Sequence, residues 1–129
     1  MKLSKFLVIT ALYNAVLGLL LLSDTIKDLL GVDLVYPGNQ MIAGFLWFTT
    51  AALLISSTDI KGYASIIYYE AYLRFFAAGV LLVAVISYDF GIILGVVAIG
   101  DILIGLYYML CLKKETGYGH HQLLLNQIP

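Results

Sequence analysis

The chain has 129 residues, 62% of them hydrophobic and only 12% charged, with a formal net charge of −1. A soluble domain of this length carries roughly twice that share of charge, so most of the surface is expected to face lipid. The charge balance excludes the basic footprint of a nucleic-acid binder, and a lone cysteine, Cys111, excludes an internal disulfide framework.

Four apolar stretches, 5–22, 41–57, 63–87 and 90–112, approach or exceed the length of a membrane span, which needs ~20 apolar residues within a range of about 17–25. The first follows Lys2 and Lys5 and resembles a signal peptide, but it ends in Leu22, Ser23 and Asp24 without a small-x-small cleavage pattern, so it is read as a retained helix. The second is the shortest. Loops other than the first are short, which predicts antiparallel neighbours in an all-α, up-down four-helix bundle forming a single domain.

Ser23 can cap a helix, and Ile26, Leu29, Leu30 and Leu34 then recur at helical spacing opposite Lys27 and Asp28. This pattern predicts a short amphipathic helix over 24–35, lying on the membrane interface. Tyr36, Pro37, Gly38 and Asn39 form a turn signal, with glycine expected to supply a positive φ. The tail, 113–129, starts polar and ends in Leu123, Leu124 and Leu125; it is expected to lie along the interface, against a partner subunit or against the chain's own helices. Its His120 and His121 have no cysteine or carboxylate at ligand spacing, so no metal site and no cofactor are expected.

Outside the spans, lysines at 2, 5, 61, 113 and 114 fall on one side and Lys27 alone on the other. The positive-inside rule then predicts cytoplasmic N- and C-termini in a multi-pass protein of the cell membrane.

Three ionisable residues sit inside the spans: Glu70, Arg74 and Asp101. Intramembrane charges are costly and normally face a partner or a water-filled cavity. Arg74 lies 14 residues before Tyr88, and Asp101 lies 13 after it. At ~1.5 Å per residue both sit about 20 Å from the loop between the third and fourth helices, which predicts an Arg–Asp pair. Glu70 is one turn from Arg74 on the same face. Asn14 and Tyr107 are expected at the depth of Glu70, with Asn14 donating to its carboxylate. Small residues continue each face: Thr10, Asn14 and Gly18 on the first helix; Ala77 and Ala78 on the third; Gly91, Gly95, Ala98 and Gly105 around Asp101 on the fourth. The second helix adds only Thr49 and Thr50. Two carboxylates against one guanidinium leave a surplus of −1, and Glu70 is expected to take a proton or recruit a cation.

Ten tyrosines are many for this length. Tyr36, Tyr63, Tyr88 and Tyr118 fall at helix ends, as an aromatic belt does. Tyr13, Tyr68, Tyr69, Tyr72, Tyr107 and Tyr108 lie deeper, where they could line an aromatic pocket around Glu70 or serve as interfacial packing; Tyr13, Tyr69 and Tyr107 are candidates, with Asn14, Glu70, Arg74 and Asp101, for a ligand or ion site. No catalytic constellation is visible, so no enzymatic activity is expected.

Length and four spans are similar to those of the small multidrug resistance exporters and of DoxX-like membrane proteins. The first helix carries Asn14 where the exporters carry an essential Glu, so the likeness is architectural and no function is taken from it. The residues lead to two expectations. One is a structural or accessory subunit that docks with a membrane-protein partner or a second copy. The other is a small binding or transport protein for a proton, cation or small amphipathic ligand that uses Glu70.

Overall fold

The computed structural model describes residues 2–24, 28–29 and 37–127. The expected interfacial helix over 24–35 lies for the most part outside them, as does Tyr36. The described residues form five helices and no strands: α1 (Leu3–Leu21), α2 (Gly38–Ser56), α3 (Ala64–Ser87), α4 (Ile92–Thr116) and the short α5 (His120–Leu124). The first four are long and apolar enough to cross a membrane. With 19 to 25 residues each, they measure about 28–38 Å against a hydrocarbon core of about 30 Å.

Helix boundaries follow from local chemistry. α2 begins at Gly38, three residues earlier than the apolar run, because Pro37 occupies its N-cap and offers its carbonyl to Met41 N–H. Gly38 is therefore helical and does not supply the positive φ expected of it. Between α2 and α3, Asp59 Oδ1 accepts from Gly62 N–H at 3.0 Å, an Asx-type turn that reverses the chain. Asp89 adopts φ +54° in the α3–α4 connection; aspartate tolerates this region because its short side chain can bond locally. α4 continues past the apolar run through Lys113 and Lys114, cations that favour a helix C-terminus. It stops at Gly117, whose φ of +68° is the left-handed cap that only glycine adopts without cost.

α1 packs along α2, and α3 along α4. Both pairs run antiparallel. Thr50 reaches the Ala11 carbonyl and Asn39 the Leu21 carbonyl in the first pair, while Arg74 meets Asp101 in the second. Two glycines permit the close approach. A Cβ on Gly105 would stand 2.7 Å from the Phe75 ring and 3.1 Å from the Ala71 carbonyl, and one on Gly18 would stand 2.7 Å from the Trp47 indole nitrogen. That nitrogen donates to the Ala15 carbonyl at 3.3 Å, which turns Trp47 across α1.

The distribution of side chains is inverted relative to a water-soluble domain. Glu70, Arg74 and Asp101 are all below 9% exposed, while Phe76 and Ile86 are above 70%. Among the described residues, a buried apolar cluster that joins all four long helices lies at the end that carries the termini. It contains Leu3, Leu7 and Ala11 of α1, Leu53 of α2, Ile67 and Ala71 of α3, and Tyr108 and Leu112 of α4. The tail turns back onto this end. Leu123 of α5 enters the cluster, His120 bonds the Tyr68 hydroxyl, and the Tyr69 hydroxyl donates to the Leu124 carbonyl. Of the surfaces expected for the tail, it takes the chain's own α3.

Candidate functional site

The site is centred on Arg74, which α3 presents at mid-length on the face that also carries Glu70, Ala71 and Ala78. Its Nη1 donates to Asp101 Oδ1 of α4 at 2.7 Å. Its Nη2 donates to Asn14 Oδ1 of α1 at 3.2 Å and lies 3.6 Å from Glu70 Oε1. Asn14 Nδ2 in turn donates to Thr49 Oγ1 of α2 at 3.1 Å, and Thr49 donates to the Leu46 carbonyl. One continuous set of polar contacts therefore runs Thr49–Asn14–Arg74–Asp101 and takes one residue from each long helix. The guanidinium carbon also lies 5.5 Å from the centre of the Tyr108 ring, within range of a cation–π attraction.

Depth-matching across the α3–α4 connection brings Arg74 to Asp101, but depth alone does not fix azimuth. Asn14 is at the expected depth yet does not donate to Glu70: its carbonyl oxygen faces Arg74 and its amide faces Thr49. Among the described residues Glu70 makes the 3.6 Å ion pair and no hydrogen bond. Of the tyrosine candidates, Tyr13 lines the site. Tyr69 is half-exposed and holds the tail. Tyr107 packs against Phe6 with ring centres 4.2 Å apart, toward the terminal end. Tyr108, one residue on, is the aromatic that reaches the site; it is fully buried, and its hydroxyl bonds Thr10. Its spacing of seven from Asp101 and three from Gly105 places all three on one face of α4, and that spacing was the available signal.

A cavity of about 60 Å³ adjoins the cluster, lined by Tyr13, Asn14, Thr49, Glu70, Arg74 and Asp101 together with Phe45 and aliphatic side chains. A water molecule needs about 10–15 Å³ measured in this way, so the space suits a few waters or a small ion. Drug-sized ligands occupy pockets of about 300–1,000 Å³. Arg74 Nε is buried without a protein acceptor. The donor set is oxygen and guanidinium only, and among the described residues no group of three His, Cys, Asp or Glu side chains could hold a metal ion.

Comparison of the chain with protein-family models, with curated proteins and with solved structures finds no match. The coarse conclusion therefore rests on the chain itself: four apolar helices of the length and composition found in small multi-pass membrane proteins.

Proposed function

We propose that the chain is a non-enzymatic, four-helix, up-down membrane bundle that binds an exchangeable proton or a small cation at Glu70. Both termini lie on the cytoplasmic side of the cell membrane, in keeping with the lysine bias. The observation that carries the reading is the state of Glu70. It is 8% exposed, lies 3.6 Å from a guanidinium already engaged by Asp101 and Asn14, and borders a cavity that can admit water. An uncompensated charge in a low-dielectric interior is costly enough that the group neutralises or acquires a counter-ion. A proton needs no coordination shell, and a metal cation would stand beside Arg74, so the proton is favoured. The cavity is too small for an amphipathic ligand of drug size.

Infrared difference spectroscopy of the protein in liposomes, stepped in pH, tests this. Among the carboxyl C=O bands that titrate in the parent, one should be missing in Glu70→Gln. Identical titrating carboxyl bands in parent and Glu70→Gln, with no band shift on changing the cation, would overturn it.

A second reading is a structural or accessory subunit of a larger membrane assembly. It is favoured by Gly44 and Gly79, which face outward with nothing within 4 Å of a Cβ added there. Outward glycines weaken a helix and are typically found where another helix approaches. Purification from the native membrane in mild detergent, with mass spectrometry of what co-elutes, separates the two: a stoichiometric protein retained in both parent and Glu70→Gln supports assembly.

A further inference from the structure

The ionisable cluster sits between two unlike layers. Toward the termini, Leu7, Ala11, Leu53, Ile67, Ala71 and Tyr108 are each fully buried and belong to one cluster drawn from all four long helices. Thr10 and Tyr108 bond across this layer, and Leu123 of α5 packs beneath it. Toward the opposite end, no such layer joins the two helix pairs among the described residues. The apolar residues buried there, Leu21 and Ala43 in one pair and Ala78, Leu94 and Ala98 in the other, lie outside the shared cluster.

The cavity follows this asymmetry. From the level of Asn14, Thr49 and Glu70 its lining continues through Leu17, Phe45 and Ala77. Each of these is one to two helical turns nearer the end opposite the termini. No residue of the apolar terminal layer contributes to it. Phe45, at its far edge, is 47% exposed.

We infer that the Glu70 site communicates with one side only: the face opposite the termini, through the gap between the α1–α2 pair and the α3–α4 pair. The terminal layer with α5 beneath it closes the other side. Close packing without a cavity is a barrier to a proton carried by water because it leaves no room for the waters that would carry it. The gap holds the cavity, which extends from the cluster past the apolar side chains of Leu17, Phe45 and Ala77. Around Glu70 the titratable and charged neighbours are Arg74 on its own helix, Tyr13 on α1, and Asp101 and Tyr108 on α4; α2 contributes the neutral Thr49. This inference rests on Glu70 as the binding residue for what travels, but the path itself can be tested without it.

Single cysteines are introduced into a Cys111→Ser background and reconstituted in liposomes. Ala77→Cys and Leu17→Cys report the gap, Ala71→Cys the terminal layer, and Tyr88→Cys and Lys114→Cys mark the two faces. A charged, membrane-impermeant thiosulfonate is added to one side at a time. Thiols react as thiolates and so need water, and Ala77→Cys and Leu17→Cys should label at least about tenfold faster from the Tyr88 side than from the Lys114 side. Ala71→Cys should label from neither. Labelling of the gap cysteines from the Lys114 side, or from neither side, overturns the inference. Repeating the series with Glu70→Gln should leave the sidedness unchanged. A retained sidedness with no titrating carboxyl band lost in Glu70→Gln would remove Glu70 as the proton site and leave the path standing, so the two failures are told apart.

Discussion

Arg74 Nη2 donates to Asn14 Oδ1 at 3.2 Å, and this bond ties the α1–α2 pair to the α3–α4 pair at mid-length. Toward the end opposite the termini the described residues of the two pairs share no common apolar cluster, and toward the termini they share one. Because Nη1 is held at 2.7 Å by Asp101 within its own pair, the guanidinium is fixed in position when it reaches Asn14. The two bonds therefore depend on each other. A double-mutant cycle of Arg74→Met with Asp101→Leu reads the Arg74–Asp101 pairing. Arg74→Met strands the Asp101 carboxylate and should cost about 3–5 kcal/mol; Asp101→Leu loses the short bond but leaves Glu70 3.6 Å from Arg74 and should cost less, and the double change should cost clearly less than the sum. Unfolding in a mixed-micelle titration measures it; additivity of the two singles would contradict the pairing.

Glu70 and Asp101 should differ when neutralised. Asp101 holds the short bond to Arg74 and Glu70 only the 3.6 Å contact. Charge-assisted hydrogen bonds of the first kind are worth about 1.5–3 kcal/mol. Asp101→Asn should therefore destabilise by about that much, whereas Glu70→Gln, which preserves shape and removes the surplus charge, should be neutral or stabilising. The same unfolding assay compares them side by side, and a Glu70→Gln cost equal to that of Asp101→Asn would show that Glu70 is a full partner of Arg74.

What could be read from the chain and what could not divide along one physical line. Helix number and span follow from unbroken apolar length, and the Arg74–Asp101 pair follows from counting rise along two helices joined by a tight connection. Both are one-dimensional quantities. Azimuth is not. Tyr107 and Tyr108 are adjacent and both touch Phe6, but 100° of rotation per residue brings only Tyr108 beneath Arg74. For Asn14, too, the rise along α1 gives a depth but no partner; Thr49 becomes one through the facing of α2, which carries no charge to mark its inward side. The return of α5 onto Tyr68 and Tyr69 has no periodic signal; it depends on the left-handed Gly117, which is visible in sequence only as a glycine.

The Thr10–Tyr108 bond offers a third test, at the boundary between the polar cluster and the terminal layer. Tyr108 is fully buried, and removing its hydroxyl leaves Thr10 with its backbone bonds to Phe6 and Leu7. Tyr108→Phe should cost about 1 kcal/mol, the net value of a typical buried hydrogen bond. Thr10→Val combined with Tyr108→Phe should cost clearly less than the two singles added, since one lost bond is shared between them. Full additivity would mean that the hydroxyls do not bond each other in the membrane.

Gly105 is the tightest point of the α3–α4 pair, and the fourth prediction concerns it. An added methyl would meet the edge of the Phe75 ring and the Ala71 carbonyl, the latter 3.1 Å away and part of the backbone. The ring can rotate, but the carbonyl moves only if α3 shifts. Overpacking of this kind costs about 1–3 kcal/mol, offset in part by the roughly 1 kcal/mol that alanine gains over glycine within a helix. Gly105→Ala should therefore destabilise by up to about 2 kcal/mol, and Gly105→Leu by considerably more. Gly100→Ala, with nothing within 4 Å of its Cβ, should instead gain the helical preference alone. Gly100 and Gly105 lie on the same helix, so opposite signs in the unfolding assay would isolate packing against α3 from propensity. Equal signs would place α3 and α4 farther apart than the 2.7 Å and 3.1 Å contacts require.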